Sequence, residues 1–237
     1  MRVLGLRAGS WLFDQCCGVG RVAVPLMERG VHVEGVDGVA SYVARARARC
    51  ESLPAGTLGH ARFECGDALT YVPAVRCDAA INWYTSFGYS DDDAANTTML
   101  ARVRDALRPG GLFALDYPDM ERVRACFHPR SERTRDTRSG RFTAVREAHL
   151  DERRGMLVDR WTFVAPSGET RTSAGETRLY SSAQLRVLLR SVGFEVLSQV
   201  APRDVGYTED AGRCILLARR PLLGAASESS GSLGSSP

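Results

Sequence analysis

The sequence predicts an α/β protein: a parallel sheet covered by helices on both faces, with an antiparallel β excursion after the fifth strand. Three observations carry that expectation. Short apolar runs alternate with longer helical patterns as far as Asp116, which implies right-handed crossovers between parallel strands. Several of these runs lead into an acid: Asp14, Asp37, Gly66-Asp67 and Asp116. From Phe142 to Tyr180 the pattern changes to strand–turn–strand with no helix between.

Trp11-Leu12-Phe13 reads as a buried strand ending at Asp14, followed by Cys16-Cys17-Gly18-Val19-Gly20 and a helix from about Arg21 to Arg29 that Gly30 ends. Val31 to Val36 is a second strand, and Ser41 to Glu51 an Ala/Arg-rich helix. Ala61 to Cys65 and Cys77 to Trp83 are the third and fourth strands. A helix over Ala94 to Leu107 stops at Arg108-Pro109-Gly110-Gly111, and Leu112 to Asp116 is the fifth strand. Met120 to Gly140 is arginine-rich without periodicity. Phe142 to Leu150 and Met156 to Val164 form two strands, and Pro166-Ser167-Gly168 turns into a third that ends near Tyr180. Ser181 or Ser182 caps a helix through Ser191, and Phe194 to Val200 with Cys214 to Arg219 makes a closing antiparallel pair.

With 237 residues, 44% of them hydrophobic and 25% charged, the chain can bury a sizeable core and is neither disordered nor fibrous. It divides into one domain over residues 1–220, with the excursion at about 120–180, and a Gly/Ser-rich tail over 221–237 expected to be disordered. The net charge of +3 is too small to imply a nucleic-acid or lipid surface. All 31 basic residues are arginine, so lysine Schiff bases and the phosphate-loop lysine are excluded. Seven cysteines without a C-x-x-C pair, no leader pattern and no membrane-length apolar run predict a reduced, cytoplasmic protein without metal.

A glycine-rich turn between strand and helix lets a ligand approach backbone and free N–H groups, and an acid closing the next strand can take ribose hydroxyls. Gly18 and Asp37 are 19 residues apart, the spacing of nucleotide-binding sheets. Taken alone, Gly18-Val19-Gly20-Arg21-Val22-Ala23 also satisfies the dinucleotide pattern.

The ordered set goes further. Leu12-Phe13-Asp14-Gln15-Cys16-Cys17-Gly18-Val19-Gly20-Arg21, Val36-Asp37, Gly66-Asp67-Ala68, Asp78-Ala79-Ala80-Ile81-Asn82, Leu107-Arg108-Pro109-Gly110-Gly111 and Val192-Gly193-Phe194 together resemble class I S-adenosylmethionine-dependent methyltransferases of the small-molecule type. The resemblance covers about residues 10 to 219 and implies a Rossmann-like, seven-stranded sheet. It implies that Asp14 and the Cys17-Gly18-Val19-Gly20 backbone hold the methionine end of the cofactor, Asp37 the ribose, and Asp67 and Ala68 the adenine, with Asn82 near the sulfonium. Two departures accompany it. Cys16 stands where the family has its first glycine. Only about nine residues precede the first strand, where relatives carry one or two closing helices, so weak cofactor binding is expected.

Trp83 to Tyr89 is an aromatic, hydroxyl-bearing loop rather than the Asn/Asp-Pro-Pro-Tyr loop of nucleic-acid amino methylation. Tyr84, Phe87, Tyr89 and Tyr117 are the expected substrate contacts, with the excursion as lid. Tyr84 and His149 are the candidate catalytic groups. Asp91-Asp92-Asp93 reads as helix-capping rather than a metal site. The expected activity is methyl transfer to a small organic molecule of specialised metabolism. An RNA or protein methyltransferase, or a non-catalytic relative that binds the cofactor, is the alternative. The expected partner is that small molecule, with no membrane or nucleic acid; a homodimer and the acceptor atom (O, N or C) are left open.

Overall fold

The computed structural model describes residues 2–207 and 212–222; the expected tail from residue 223 onward lies outside them. Seven strands form one sheet in the order β10-β11-β5-β4-β1-β2-β3. They are β1 (Trp11–Gln15), β2 (His32–Asp37), β3 (Ala61–Cys65), β4 (Cys77–Asn82), β5 (Leu107–Pro118), β10 (Glu195–Val200) and β11 (Arg213–Arg219). β1 through β5 pair in parallel, while β11 runs antiparallel to both β5 and β10. Covering helices are α1 (Ala23–Met27), α2 (Ala40–Glu51), α3 (Asp93–Ala106) and α5 (Ser182–Ser191).

Burial on both faces explains why the central strands read as continuous apolar runs rather than alternations. Leu12 and Phe13 are both fully buried, yet they enter opposite cores: Leu12 joins Val33, Phe63 and Ile81, and Phe13 joins Phe87, Phe113 and Leu185. The chain reverses at β1, whose neighbours are β2 and β4, and such a switch point opens a crevice at the strands' carboxyl ends.

Two boundaries differ from expectation. Leu107 to Gly111 is not a turn ahead of the fifth strand but part of β5, where the register against β4 jumps from Cys77–Leu107 to Ala79–Leu112. The Pro-Gly-Gly segment is absorbed as an irregularity, with Gly110 at φ +81. α1 is also shorter than its sequence pattern, with Pro25 inside its first turn.

The excursion is a four-stranded antiparallel meander, β6 (Arg130–Thr137), β7 (Gly140–Asp151), β8 (Met156–Val164) and β9 (Thr170–Arg178), preceded by α4 (Met120–Ala125). The stretch expected to be patternless therefore holds a helix and a strand. β6 carries Arg, Ser, Glu, Thr and Asp but no apolar residue, so no hydrophobic alternation marks it; an eight-residue ladder to β7 defines it instead. Among the described residues, no helix is long and apolar enough to cross a membrane.

Candidate active site

The turn after β1 has three left-handed residues: Cys16 at φ +62, Gly18 at +55 and Gly20 at +72. Glycine takes this conformation at no steric cost, whereas a residue with a Cβ is strained there. Cys16 thus keeps the backbone shape of the glycine it replaces. A Cβ on Gly18 would meet nothing within 4 Å, so this backbone faces open space; one on Gly20 would lie 3.3 Å from the Ala46 Cβ of α2.

This open space is a cavity of about 290 Å³ lined by Asp14, Cys16 to Val19, Arg21, Val22, Tyr42, Arg45, Trp83, Tyr84 and Ser86. Asp14 is 3% exposed, and among the described residues no donor partners its carboxylate. Burial first, and then the nearby Asp37 charge, push its carboxyl up to about 7. A buried carboxyl without a cation, facing a cavity, suits a ligand ammonium.

Asp37, at the end of β2, accepts the Gly18 N–H through Oδ2 at 2.8 Å and the Val39 N–H through Oδ1 at 2.9 Å. Both oxygens retain a further lone pair for ribose hydroxyls. The N–H groups expected to receive a carboxylate are mostly engaged: Cys17 donates to Val36, Gly18 to Asp37 and Gly20 to Cys17. Only Val19 of that set keeps its N–H without a partner among the described residues.

Asp67 is exposed and its Oδ1 accepts the Leu69 N–H at 2.8 Å, beside the half-buried Ala68; neither residue lines the cavity. Asn82, expected near the sulfonium, is not on the cavity wall. It is fully buried and donates to Gln15 Oε1 at 3.1 Å, while Gln15 donates to the Met99 carbonyl at 3.0 Å, so its amide belongs to a buried chain.

A second cavity of about 900 Å³ lies between the sheet's carboxyl edge and the excursion. Directly opposed residues of antiparallel strands share a face, so Arg146 with Trp161, and Asp159 with Gly175, point the same way, and all four line this space. His149 pairs with Val158, one residue out of phase, and is exposed on the other face. The expectation that it acts on substrate is corrected by strand parity. Phe87 and Tyr117 are corrected too: both are fully buried, 5.6 Å apart centre to centre, and the Tyr117 hydroxyl donates to the Arg178 carbonyl. Tyr89 is exposed on the cavity wall.

Tyr84 lines both cavities. It and Thr85 are left-handed at φ +59 and +63, two consecutive strained residues. Three bonds hold them: Tyr84 N–H donates to Asp116 Oδ2 at 2.9 Å, Arg213 Nη1 donates to Thr85 Oγ1 at 2.9 Å, and Arg213 Nε donates to Asp116 Oδ1 at 2.6 Å. The Tyr207 hydroxyl donates to Asp116 as well.

Sequence reasoning missed Tyr42, Arg45, Arg213 and His128, the last being the imidazole that does line the larger cavity. Asp116 alone carried a signal, as an acid late in the fifth strand. Asp92 caps α3 by accepting the Ala94 N–H, and Asp93 pairs with Arg178, in keeping with a capping role for that acidic run. Among the described residues no metal-holding cluster exists.

Residues 12–111 match the sequence model of the family described as "Methyltransferase domain". The matched stretch runs from β1 to the start of β5 and includes the glycine turn. The methyltransferase fold is shared, at 18% identity and a TM-score of 0.76, with the CcbJ methyltransferase from Streptomyces caelestis, covering 92% of this chain and 86% of that one. It is shared at 21% identity and a TM-score of 0.70 with SAM-bound CalS10, an amino pentose methyltransferase from Micromonospora echinaspora, over 92% and 87%. In sequence, 73 residues are 37% identical to the 23S rRNA (uracil(1939)-C(5))-methyltransferase RlmD of Thiobacillus denitrificans. That match covers 31% of this chain and 16% of the relative, so the chain spans a small part of that protein. The residues of the smaller cavity are compatible with S-adenosylmethionine: Asp14 would offer an unpaired carboxylate to its ammonium, and the open direction at Gly18 would leave room for its body.

Proposed function

We propose that this chain transfers the methyl group of S-adenosylmethionine to a small organic molecule held in the larger cavity, with residues 1–220 as one methyltransferase domain and β6 to β9 as its lid. The observation that carries this reading is Tyr84, which borders the cofactor-sized cavity on one side and the larger cavity on the other. When bound, the cofactor supplies a methyl on a sulfonium, already an excellent leaving group, so the protein's task is alignment. Asp14 anchors the ammonium, Asp37 the ribose, and Asp67 with Ala68 the adenine. The pinned backbone at Tyr84 and Thr85 fixes one wall of the passage between the cavities, and Tyr89 supports the acceptor. His128 is the base for an acceptor that must lose a proton.

A small acceptor is favoured over RNA because the excursion sheet walls one side of a concave cavity, whereas an RNA strand needs an open basic track with interleaved aromatics. The amino pentose methyltransferase among the fold's relatives supports the same size class. Thermal shift tests the cofactor: S-adenosylmethionine or S-adenosylhomocysteine raises the melting temperature and NADPH at equal concentration does not. The reverse ranking overturns the reading. A mass-spectrometric screen for compounds gaining one methyl then identifies the acceptor.

A further inference from the structure

We infer that the acceptor carries an oxyanion, a carboxylate or a phosphate, held by Arg133 and Arg146 on the excursion sheet; this rests on the methyltransferase reading and names its substrate class. The wall of the larger cavity bears four arginines but a single aspartate. Arg133 on β6 lies opposite Ala144, and Arg146 on β7 opposite Ser131, so the two are diagonal neighbours on one sheet face. Diagonal neighbours are about 7–8 Å apart at their backbones, within reach of long side chains, and like charges so placed repel unless an anion lies between.

Asp159 does not balance them. It accepts from Arg146 at 3.5 Å, the limit of a hydrogen bond, and the Arg133 side chain has no ion pair or hydrogen bond among the described residues. On the opposite face of the same sheet, Arg130 and Arg141 have carboxylate partners, Glu147 at 3.9 Å and Asp136 at 3.0 Å. Guanidinium groups present planar paired donors that match carboxylate and phosphate oxygens. Trp161, with the Arg146 guanidinium 5.9 Å from its ring centre, gives the acceptor's apolar body a flat surface beside the anion site.

The test uses naphthyl phosphate, naphthoate and naphthol as probes, titrated calorimetrically into the protein saturated with S-adenosylhomocysteine. At least one anionic probe binds at least about tenfold tighter than naphthol, and the advantage shrinks as salt rises. Arg133→Gln removes most of that advantage and leaves naphthol unchanged, and Arg133→Lys restores part of it. The stronger anion tells phosphate from carboxylate; either supports the inference. Equal affinity for all three probes overturns it, as does an anion preference that survives both Arg133→Gln and Arg146→Gln. S-adenosylhomocysteine binding, measured on every variant, reports the fold. Its absence in the unmodified chain overturns the methyltransferase reading, while the probes still report the anion preference separately.

Discussion

Arg213 on β11 and Asp116 on β5 form a nearly water-free ion pair, with the aspartate wholly buried and the arginine side chain 14% exposed. The pair does more than join two strands, because its remaining hydrogen bonds hold Tyr84 and Thr85 in their left-handed shape. Removing one partner leaves the other charge buried and uncompensated. Asp116→Ala should lower the unfolding free energy by about 3–5 kcal/mol in urea titration. Replacing both residues by apolar ones should cost less than the single change, while still impairing turnover through the released loop.

Asp14 gives the protein without cofactor a pH-dependent stability. Burial, and then the Asp37 charge, push its carboxyl from the ordinary 3.8 up to about 7 in the fold, so between these limits the folded chain holds the extra proton. Its contribution is fully present below about pH 4 and is lost as pH rises through 7, on the order of 4 kcal/mol over the whole span. Denaturation of Asp14→Asn should lack that slope. A ligand ammonium favours the ionised carboxylate, so cofactor binding at pH 6 should release protons and tighten toward pH 7, as calorimetry in buffers of different ionisation heat will show.

Cys16→Gly should stabilise the chain by about 1 kcal/mol, because strain at φ +62 is relieved and only part of the gain is offset by the freer unfolded chain. Chemical denaturation measures this directly.

Asp37→Ala removes the acceptor for the Gly18 N–H as well as the ribose site. Cofactor affinity should fall by about 1.5–3 kcal/mol with the circular dichroism spectrum retained.

His128 and His149 separate the two faces of the excursion sheet. His149→Ala should leave turnover unchanged, since its side chain is on the outer face. His128→Ala should lower kcat, as steady-state assays will show.

The parallel strands, the glycine turn and Asp14 were legible because burial on both faces and a backbone needing left-handed residues leave marks in residue type. Facing is different. Whether His149 or its neighbour Ala148 meets substrate depends on pairing register, and a slip of one residue exchanges the two faces with no change of composition. β6 left no mark because both of its faces are polar. Phe87 and Tyr117 fit a pocket floor as well as a core, and only their packing against Tyr180 decides it. The Asp116–Arg213 pair spans 97 positions, beyond any local pattern.

The ends of the excursion meet at one place in the fold. Asp119 and Tyr180, where it departs and rejoins, are bridged to each other; Met120 N–H donates to the Tyr180 carbonyl at 3.1 Å, and Asp119 accepts the Ser182 N–H at 2.8 Å. Because the ends already touch, the seven-stranded sheet closes the same way whatever lies between them. The excursion is thus an interchangeable cartridge: lengthening, shortening or grafting it alters the acceptor chamber while the cofactor turn on the far side of β4 keeps its geometry.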